Sequence, residues 1–440
     1  MTVDAIALRR VFQPVRHALR NDFVRHSAIV FAATMAGNIF NYLFNFALSR
    51  RLGVEGFATL SSLVSFLMIL SIPTGILTLV VVKYAAVYHA AEDAQRVRRL
   101  SQVLLKWTGV GSAAIFIAGA LFRTQIASFL RIQDNVAILL CLGIIAIGVM
   151  APSVRGILQG EQDFLRYSIS TLSEVFLKLV IAVSLVYAGF GVDGAMLGWI
   201  IATVCALAYT VWAVLRKHGA AADGTVHLAL DLRRLFQTTA GVGLAAGFLT
   251  FISFMDVLLV KHYFDAHQAG LYAAVNLTGK VVLFLVGFLP AVVLPKAVAK
   301  NANGENVVQL LLQAAGLTLL ISGAALAVFG IFPVQVVRVL AGREFVAAAP
   351  FVLQYDASMC LLAMVTLLVN YKIGIHRFNF LYVLGGVLAC EIVGIALFHR
   401  TLWDVVHILL AGNIVAVIGC AFGLSVRAQS SAEARVARAV

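Results

Sequence analysis

The stretch that decides the fold runs from Thr250 to Lys300 and reads TFISFMDVLLVKHYFDAHQAGLYAAVNLTGKVVLFLVGFLPAVVLPKAVAK. It contains two apolar runs that are joined by the short polar hairpin 261–268. Each run is long enough to cross the hydrocarbon core of a bilayer, which takes about 20 helical residues. Both runs are therefore predicted to be transmembrane helices.

Each of these predicted helices carries a charged residue inside its apolar run, Asp256 in the first and Lys280 in the second. An ionised side chain at the centre of a membrane helix costs roughly 2.5–3.5 kcal/mol on insertion scales, so a lipid-facing position is unfavourable. Residues three or four apart share one face of a helix. Two polar faces result: Thr250, Ser253 and Asp256 on the first helix, and Tyr272, Asn276 and Lys280 on the second. We expect both faces to contact protein or water.

Prolines interrupt two of the predicted membrane helices. Pro290 and Pro295 lie in the second helix of the opening stretch, and Pro73 with Gly75 lies in the predicted helix 57–85. Proline removes a backbone donor and tends to kink a helix. In a membrane, such kinks are tolerated where protein or a cavity satisfies the freed carbonyls. These four residues are predicted hinges of moving helices.

The composition places the whole chain among all-α, polytopic membrane proteins. Of its 440 residues, 62% are hydrophobic and 12% are charged, with a mean hydropathy of +0.97, whereas soluble domains contain roughly 45–50% apolar residues. The five cysteines lie in apolar runs and form no CxxC pair, so neither a disulfide framework nor a zinc site is expected. We also expect no cofactor.

The net charge of +13 is dispersed over short loops, which disfavours nucleic-acid binding but is compatible with an anionic substrate. Basic residues gather on one side of the predicted topology, and the positive-inside rule then places both termini in the cytoplasm. The predicted spans are 27–49, 57–85, 102–122, 135–154, 167–188, 195–215, 238–262, 270–298, 307–330, 350–373, 378–398 and 403–425.

Polar segments divide these twelve spans into two halves. The predicted parts are a cytoplasmic amphipathic segment (1–26), an N-terminal six-helix bundle (27–215), a cytoplasmic linker (216–237), a C-terminal six-helix bundle (238–425) and a cytoplasmic tail (426–440). The stretches 51–66 and 264–279 resemble each other, each with a turn, a glycine and a polar-dotted helix broken by proline. The halves are therefore predicted to be parallel repeats about an axis along the membrane normal, and such broken helices point to a transporter's central site.

Further polar residues lie inside predicted spans of the first half. Asn38, Asn41 and Asn45 form a stripe that either bonds to neighbouring helices or lines a cavity. Glu174 precedes Lys178 by four residues, the favourable order for an ion pair within a helix. A role of this pair in binding substrate or a coupling ion is the alternative.

In the second half, Glu391 is isolated among apolar neighbours. It is either a neutral, hydrogen-bonded carboxyl or a site for a proton or cation. The hairpin 189–198 contains a GxGxxG, but it follows a membrane helix and not a strand, so it indicates a tight turn and no dinucleotide site.

Short motifs in a fixed order then give a resemblance that covers nearly the whole chain. They are Leu52 to Phe57, Gln159-Gly160 with Phe164, Gly191 to Ala195, Asp256, Gly270 to Ala274, Pro295-Lys296 and Gly342 to Phe345. With them the sequence resembles the polysaccharide transporter family, the oligosaccharide flippases of the multidrug/oligosaccharidyl-lipid/polysaccharide exporter superfamily. The resemblance implies two six-helix bundles around a central cavity that opens alternately to either side of the bacterial inner membrane.

The resemblance also implies a substrate, an undecaprenyl-diphosphate-linked oligosaccharide for surface-polysaccharide assembly, and cationic residues in the cavity. The expected diphosphate ligands are Lys280 and Lys178, with Arg50 and Arg51 near the cavity mouth. The expected ligands of sugar hydroxyls are Asn38, Asn41, Asn45, Tyr272 and Asn276. Asp256, Glu174 or Glu391 would bind a coupling H⁺ or Na⁺. A polysaccharide polymerase and chain-length machinery are further expected partners.

Other functions remain open at this point. A multidrug exporter of the same superfamily would favour acidic groups for cationic drugs, and the two lysines argue against it. A flippase for a lipid-linked peptidoglycan precursor is a neighbouring alternative. A membrane glycosyltransferase, polymerase or ligase would place catalytic residues on sizeable outside loops, whereas the predicted ones are short. HExxH and GxSxG do not occur in the sequence, and we expect no enzyme.

Overall fold

The computed structural model describes residues 22–218, 232–302 and 307–422, and these ranges contain helices and turns but no strand. Eleven helical segments in them are long and apolar enough to cross a bilayer. Phe164–His218, with 55 residues, holds two successive spans, which gives twelve. The predicted all-α membrane fold is confirmed. Residues 1–21 of the predicted segment 1–26, the predicted tail 426–440 and most of the linker lie outside the described residues.

The helices are longer than the predicted spans in several places. They are α1 (Asp22–Leu70), α2 (Ile72–Ala90), α3 (Ala94–Leu121), α4 (Arg123–Leu130), α5 (Asn135–Gly160), α6 (Phe164–Leu185), a π-helical turn (Val186–Phe190), α7 (Gly191–His218), α8 (Leu232–Tyr263), α9 (Ala266–Val286), α10 (Phe288–Ala302), α11 (Val308–Ile331), α12 (Pro333–Leu340), a 3₁₀ turn (Arg343–Ala348), α13 (Ala349–Gly374), α14 (Phe380–Leu397) and α15 (Leu402–Ala421).

The chain divides into two compact units. Of the described residues, unit 1 comprises 22–47, 73–123, 136–218 and 232, and unit 2 comprises 48–72, 124–135, 233–302 and 307–422. Unit 1 therefore contains the first part of α1 with α2, α3, α5, α6 and α7. Unit 2 contains the last part of α1 with α4 and α8 to α15.

Glycines with positive φ bend the chain where spans meet. Inside α1, Gly53 adopts φ 67° and ψ −176°, so α1 is two helices joined at a kink. Between α6 and α7, Gly189 (φ 98°) and Gly191 (φ 54°) form a tight turn. Glycine reaches these angles because it has no Cβ. The predicted glycine turn is confirmed at 189–191, whereas the rest of the predicted hairpin, 192–198, belongs to α7.

Two helix breaks lie just ahead of predicted hinge prolines. Helix α1 ends at Leu70 and α2 begins at Ile72, which puts Pro73 in the first turn of α2. Helix α9 ends at Val286 and α10 begins at Phe288, which puts Pro290 in the first turn of α10. A proline ring clashes with the carbonyl four residues earlier, so the helix breaks upstream of it.

The other two predicted hinge residues lie in uninterrupted helix. Gly75 is inside α2 and Pro295 is inside α10. The structural breaks are therefore at Ser71 and at Gly287, whose N–H bonds the carbonyl of Phe284 only three residues back, at 3.3 Å. Whether any of these positions moves stays a prediction.

Unit 1 uses the same turn twice, a repeat that the sequence analysis missed. In each, a residue with positive φ precedes an aspartate that caps the next helix and pairs with the arginine three residues later. These residues are Glu92, Asp93 and Arg96 between α2 and α3, and Gln162, Asp163 and Arg166 between α5 and α6. Both caps satisfy backbone donors that a helix start leaves free.

The turn between α5 and α6 contacts the end of α7 through the side chain of Glu161. The Glu161 side chain is 1% exposed, and its carboxylate lies 2.7 Å from His218 Nε2 and 3.0 Å from Lys217 Nζ. Burial raises the pKa of Glu161, but the contacts from His218 and Lys217 outweigh burial and hold that pKa below its ordinary value. The ionised carboxylate therefore stabilises the folded state.

We expect the contribution of Glu161 to stability to depend on pH. Because its pKa is lower in the folded state, the stabilisation is present above the unfolded-state pKa and is lost as the pH falls through the folded-state pKa. The melting temperature of wild type should exceed that of Glu161→Gln at neutral pH, and the difference should shrink below about pH 4. A difference that stays constant from pH 7 into the acid range would contradict this account.

Helices α6 and α7 touch at Gly198, where a Cβ would lie 2.5 Å from the Cα of Ala182. Gly198→Ala should lower the free energy of unfolding by about 1–3 kcal/mol through overpacking. Gly148, in α5 of the same unit, has open space around the Cβ position, so Gly148→Ala is the matched control and should be neutral or stabilising. Thermal unfolding of the two purified variants measures the difference, and equal melting temperatures would contradict the close α6–α7 packing.

Candidate functional site

A hydrogen-bonded cluster surrounds Asp256 inside unit 2, where α8, α9 and α13 meet. Asp256 Oδ2 accepts hydrogen bonds from the hydroxyls of Tyr272 at 2.6 Å and Tyr355 at 3.0 Å. The Tyr355 hydroxyl in turn accepts one from Asn276 Nδ2 at 2.6 Å. All four side chains are buried. The predicted residues Asp256, Tyr272 and Asn276 are thus brought together by a tyrosine that sequence reasoning did not single out.

Two further carboxyls are buried in the same unit. Asp356, next to Tyr355 on α13, accepts a hydrogen bond from the Thr278 hydroxyl at 2.9 Å. Glu391 on α14 packs against Gly412 of α15, where any side chain would overlap the carboxylate. Asp356 Oδ2 and both carboxylate oxygens of Glu391 are buried without a hydrogen-bond partner. Unsatisfied buried acceptors are costly, so these carboxyls are chemically suited to take up a proton or a small cation.

Lys280 lies on α9, one turn beyond Asn276, and is half-buried. Its ammonium sits 3.9 Å from the centre of the Phe254 ring, a cation–π contact. Among the described residues no carboxylate oxygen lies within ion-pair distance of it. The hydroxyls of Thr250 and Ser253, predicted to share the polar face of Asp256, instead bond to carbonyls of their own helix.

In unit 1, Lys178 of α6 is buried and its ammonium is held by neutral groups. It donates to Asn41 Oδ1 at 2.5 Å and lies 4.3 Å from the Trp199 ring and 4.7 Å from the Phe44 ring. Asn45 donates to the backbone carbonyl of Asn41 at 2.9 Å. Of the predicted asparagine stripe, Asn41 therefore contacts Lys178, and Asn45 is bonded to Asn41.

The expected ion pair between Glu174 and Lys178 is wrong. The carboxylate of Glu174 pairs instead with Arg155 Nη2 at 2.5 Å and accepts from the Thr203 hydroxyl at 2.9 Å. The reason is the length of α5, which was predicted to end at 154 but continues to Gly160. Arg155, expected on the cytoplasmic side of the membrane, is consequently buried within the unit.

The remaining predicted substrate ligands lie apart from these clusters. Asn38 is half-buried on α1, one turn before Asn41. Arg50 and Arg51 are exposed, and the Arg50 guanidinium donates to the carbonyls of Arg338 at 3.3 Å and Val339 at 2.7 Å in unit 2.

Sequence reasoning missed several buried ionisable residues. Asp356 lies in an apolar run, the same signal that drew attention to Asp256, and could have been found by it. Lys261 and Lys372 stand at the last residues of the predicted spans 238–262 and 350–373 and were not singled out, and the structure places them in α8 and α13. They are 4% and 1% exposed, with Lys261 Nζ 3.5 Å from the Thr59 hydroxyl and Lys372 Nζ donating to the Phe422 carbonyl at 3.0 Å.

The Asp256 cluster can be tested through Tyr355. Tyr355→Phe removes one donor to Asp256 and the acceptor of Asn276, so the free energy of unfolding should fall by about 1–3 kcal/mol. Tyr382→Phe is the matched control, because Tyr382 is 87% exposed, and it should melt with wild type. Thermal unfolding measures both; a Tyr355→Phe variant as stable as its control would contradict the hydrogen-bond assignment.

The fold is similar to that of solved transporters. A multidrug resistance MATE family transporter of the MOP superfamily, in its inward-facing conformation, matches with a TM-score of 0.74 at 16% identity over 90% of this chain and 97% of that one. The lipid II flippase MurJ, in an inward closed conformation, matches with a TM-score of 0.70 at 12% identity over 91% and 87%. A MOP superfamily transporter from Pyrococcus furiosus, whose binding pocket is described as having reverse polarity, matches with a TM-score of 0.59 at 17% identity over 91% and 94%.

These identities are low, so the structural matches establish the fold alone. A comparison with curated protein sequences finds no match. The family model described as polysaccharide biosynthesis protein matches residues 23–299, which is more than half of the chain. That range runs from the start of α1 into α10 and includes the Asp256 cluster residues of α8 and α9. The chain is a multi-pass membrane protein that belongs to the polysaccharide biosynthesis protein family.

Proposed function

We propose that the protein is a flippase for an undecaprenyl-diphosphate-linked oligosaccharide. It moves this substrate from the cytoplasmic to the periplasmic leaflet of the bacterial inner membrane for the synthesis of O-antigen, capsule or exopolysaccharide. Membership of the polysaccharide biosynthesis protein family supports the pathway class. The likeness in fold to a lipid II flippase supports a lipid-linked substrate.

The observation that carries the proposal is the environment of Lys178 and Lys280. Both lysines lie within membrane helices, and their ammonium groups contact aromatic rings or an amide and not a carboxylate. Each unit therefore keeps a positive charge in the membrane that no carboxylate of the described residues pairs with. A lysine ammonium is a compact point charge with three donors, which suits a phosphate oxygen.

The chemistry of the proposed substrate explains why two lysines are placed in membrane helices despite the free energy that burying a charge costs. A diphosphate and its sugars cannot cross hydrocarbon unaided, because unsatisfied polar groups there are strongly unfavourable. The polyprenyl tail, in contrast, is stable in lipid. In the proposed cycle, Lys178 and Lys280 bind the diphosphate, and the exposed Arg50 and Arg51 attract it beforehand.

Sugar hydroxyls would be bound by amides and a phenol that already occupy polar networks. Asn38, Asn41 and Asn45 line one stretch of α1 in unit 1, whereas Tyr272 and Asn276 lie in the Asp256 cluster of unit 2. Since Tyr272 and Asn276 are engaged with Asp256 and Tyr355, binding a sugar there requires an exchange of hydrogen-bond partners. Substrate binding and the state of Asp256 are thereby linked.

Coupling to H⁺ or Na⁺ is assigned to the carboxyls of unit 2. Asp256 and Glu391 were expected on sequence grounds, and Asp356 joins them because its Oδ2 is buried without a partner. Uptake of a proton or cation by Asp256 would neutralise its carboxylate and release the hydroxyl donors of Tyr272 and Tyr355. The helix breaks ahead of Pro73 and Pro290 are the proposed points of bending between the two access states.

A multidrug exporter is the second candidate, because a MATE family transporter shares the fold and because unit 2 buries carboxyls that could bind a cationic drug. Drug sensitivity of a deletion strain, with intact surface polysaccharide, would favour it. We propose that the protein is no glycosyltransferase; turnover of a sugar donor by the purified protein would contradict this.

Lys280→Ala should abolish surface polysaccharide and cause undecaprenyl-linked repeat units to accumulate on the cytoplasmic face. Lys280→Arg keeps the charge and should retain part of the activity. Lys296→Ala is the matched control, because Lys296 is an exposed lysine on the adjacent helix α10, and should leave the polymer unchanged. Polymer is measured by gel electrophoresis of cell extracts, with the membrane level of each variant determined in parallel.

Normal polymer from Lys280→Ala at wild-type expression would remove Lys280 from the mechanism. Loss of polymer in the Lys296→Ala control as well would show that the assay reports membrane insertion and not substrate binding.

A further inference from the structure

Arg155 occupies an oxygen-lined site in unit 1 where α5, α6 and α7 pack together. Its Nε donates to the Ser170 hydroxyl at 2.8 Å, and its Nη2 donates to the Ser170 carbonyl at 3.4 Å and to Glu174 Oε2 at 2.5 Å. The Ser170 hydroxyl is also 2.6 Å from that of Thr210, and Thr203 donates to the other oxygen of Glu174. The guanidinium therefore contacts three oxygens of Ser170 and Glu174, and the hydroxyls of Thr203 and Thr210 bond to these two residues.

This set of ligands is of the kind that a small cation prefers. Carboxylate, hydroxyl and carbonyl oxygens bind hard cations, and the side chains of Arg155, Ser170, Thr203 and Thr210 are buried. Here the positive charge belongs to the chain itself. An arginine side chain does not lose its proton in proteins, and it is tethered to α5, so this cation can be neither released nor exchanged.

The buried carboxyls of unit 2 have no such built-in cation among the described residues. Asp356 and Glu391 are buried carboxyls with unpaired oxygens, and neither forms an ion pair with a lysine or arginine among the described residues. Glu174 has both oxygens satisfied, one by Arg155 and one by Thr203. The charged groups near Glu174 are Arg155 from α5 and Lys178 from its own helix, while α7 presents the hydroxyls of Thr203 and Thr210.

We infer that Arg155 is a built-in counter-ion that closes unit 1 to the coupling ion, so that exchange of H⁺ or Na⁺ is confined to unit 2. This inference rests on the proposed ion coupling, and it makes Arg155 a positioning residue. It also predicts a latent site: without the guanidinium, the carboxylate of Glu174 and the surrounding hydroxyls should bind an external cation.

The experiment uses the purified full-length protein and four forms: wild type, Arg155→Gln, Arg155→Lys and the double variant Arg155→Gln/Glu174→Gln. Thermal unfolding is followed as NaCl replaces choline chloride at constant ionic strength, and separately as the pH is lowered. Binding of a cation to the folded state raises the melting temperature in a concentration-dependent way.

Arg155→Gln leaves the half-buried carboxylate of Glu174 without its ion-pair partner, so in choline its melting temperature should fall by about 10 °C. It should regain part of this loss with Na⁺ or at lower pH, a response that the double variant lacks. The double variant and Arg155→Lys should keep the cation response of wild type. If Arg155→Gln fails to fold, the double variant still tests whether Glu174 belongs to the coupling site, because it should keep the wild-type cation response.

The inference is overturned if the double variant loses part of the wild-type cation response, since Glu174 would then belong to the coupling site. It is also overturned if a folded Arg155→Gln shows no additional response. A wild-type protein without any Na⁺ or pH response would contradict the proposed ion coupling, whereas a cation response gained by Arg155→Gln would still support Arg155 as the resident cation.

Discussion

The structure depends on one constraint, that a charge placed in hydrocarbon must find its partner within the protein. Water is not available there to solvate an ionised group, and lipid offers no hydrogen bonds. Each buried ionisable side chain therefore marks a place where helices must meet. Asp256 draws α8, α9 and α13 together through two tyrosines, and Arg155 joins α5 to α6 through Glu174.

The two units meet this constraint in different ways. In unit 1, the carboxylate of Glu174 is balanced by a guanidinium, and Lys178 is surrounded by rings and an amide. In unit 2, buried carboxyls are satisfied by hydroxyl donors or are left with unpaired oxygens. A hydroxyl donor can be exchanged for a proton or an ion at moderate cost, whereas a tethered guanidinium cannot leave. In unit 2 the partners of the buried carboxyls can therefore be exchanged, whereas in unit 1 the cation that pairs with Glu174 is part of the chain.

The backbone is irregular at two points where one helix ends and the next begins. The break at Gly287 follows Lys280 by two helical turns, and the break at Ser71 precedes Pro73 between α1 and α2. In both, the proline stands in the first turn of the following helix, where its missing N–H costs least. Broken helices that carry polar residues are the parts of a membrane protein in which backbone groups can change partners without exposure to lipid.

By itself, the sequence determined the membrane class, the twelve spans and some of the residues that bear charge inside them, because hydropathy and span length are properties of local sequence. Asp256 was singled out as a charge inside an apolar run, and Tyr272 and Asn276 by helical spacing; the structure brings the three side chains into one cluster. Only the tertiary structure decided which partner each charge has. The i,i+4 spacing favoured Lys178 for Glu174, but a helix that extends two turns further than its hydropathy suggests brought Arg155 within reach. Pairing between helices depends on where neighbouring helices end and how they are rotated, and neither quantity is encoded in the spacing along one of them.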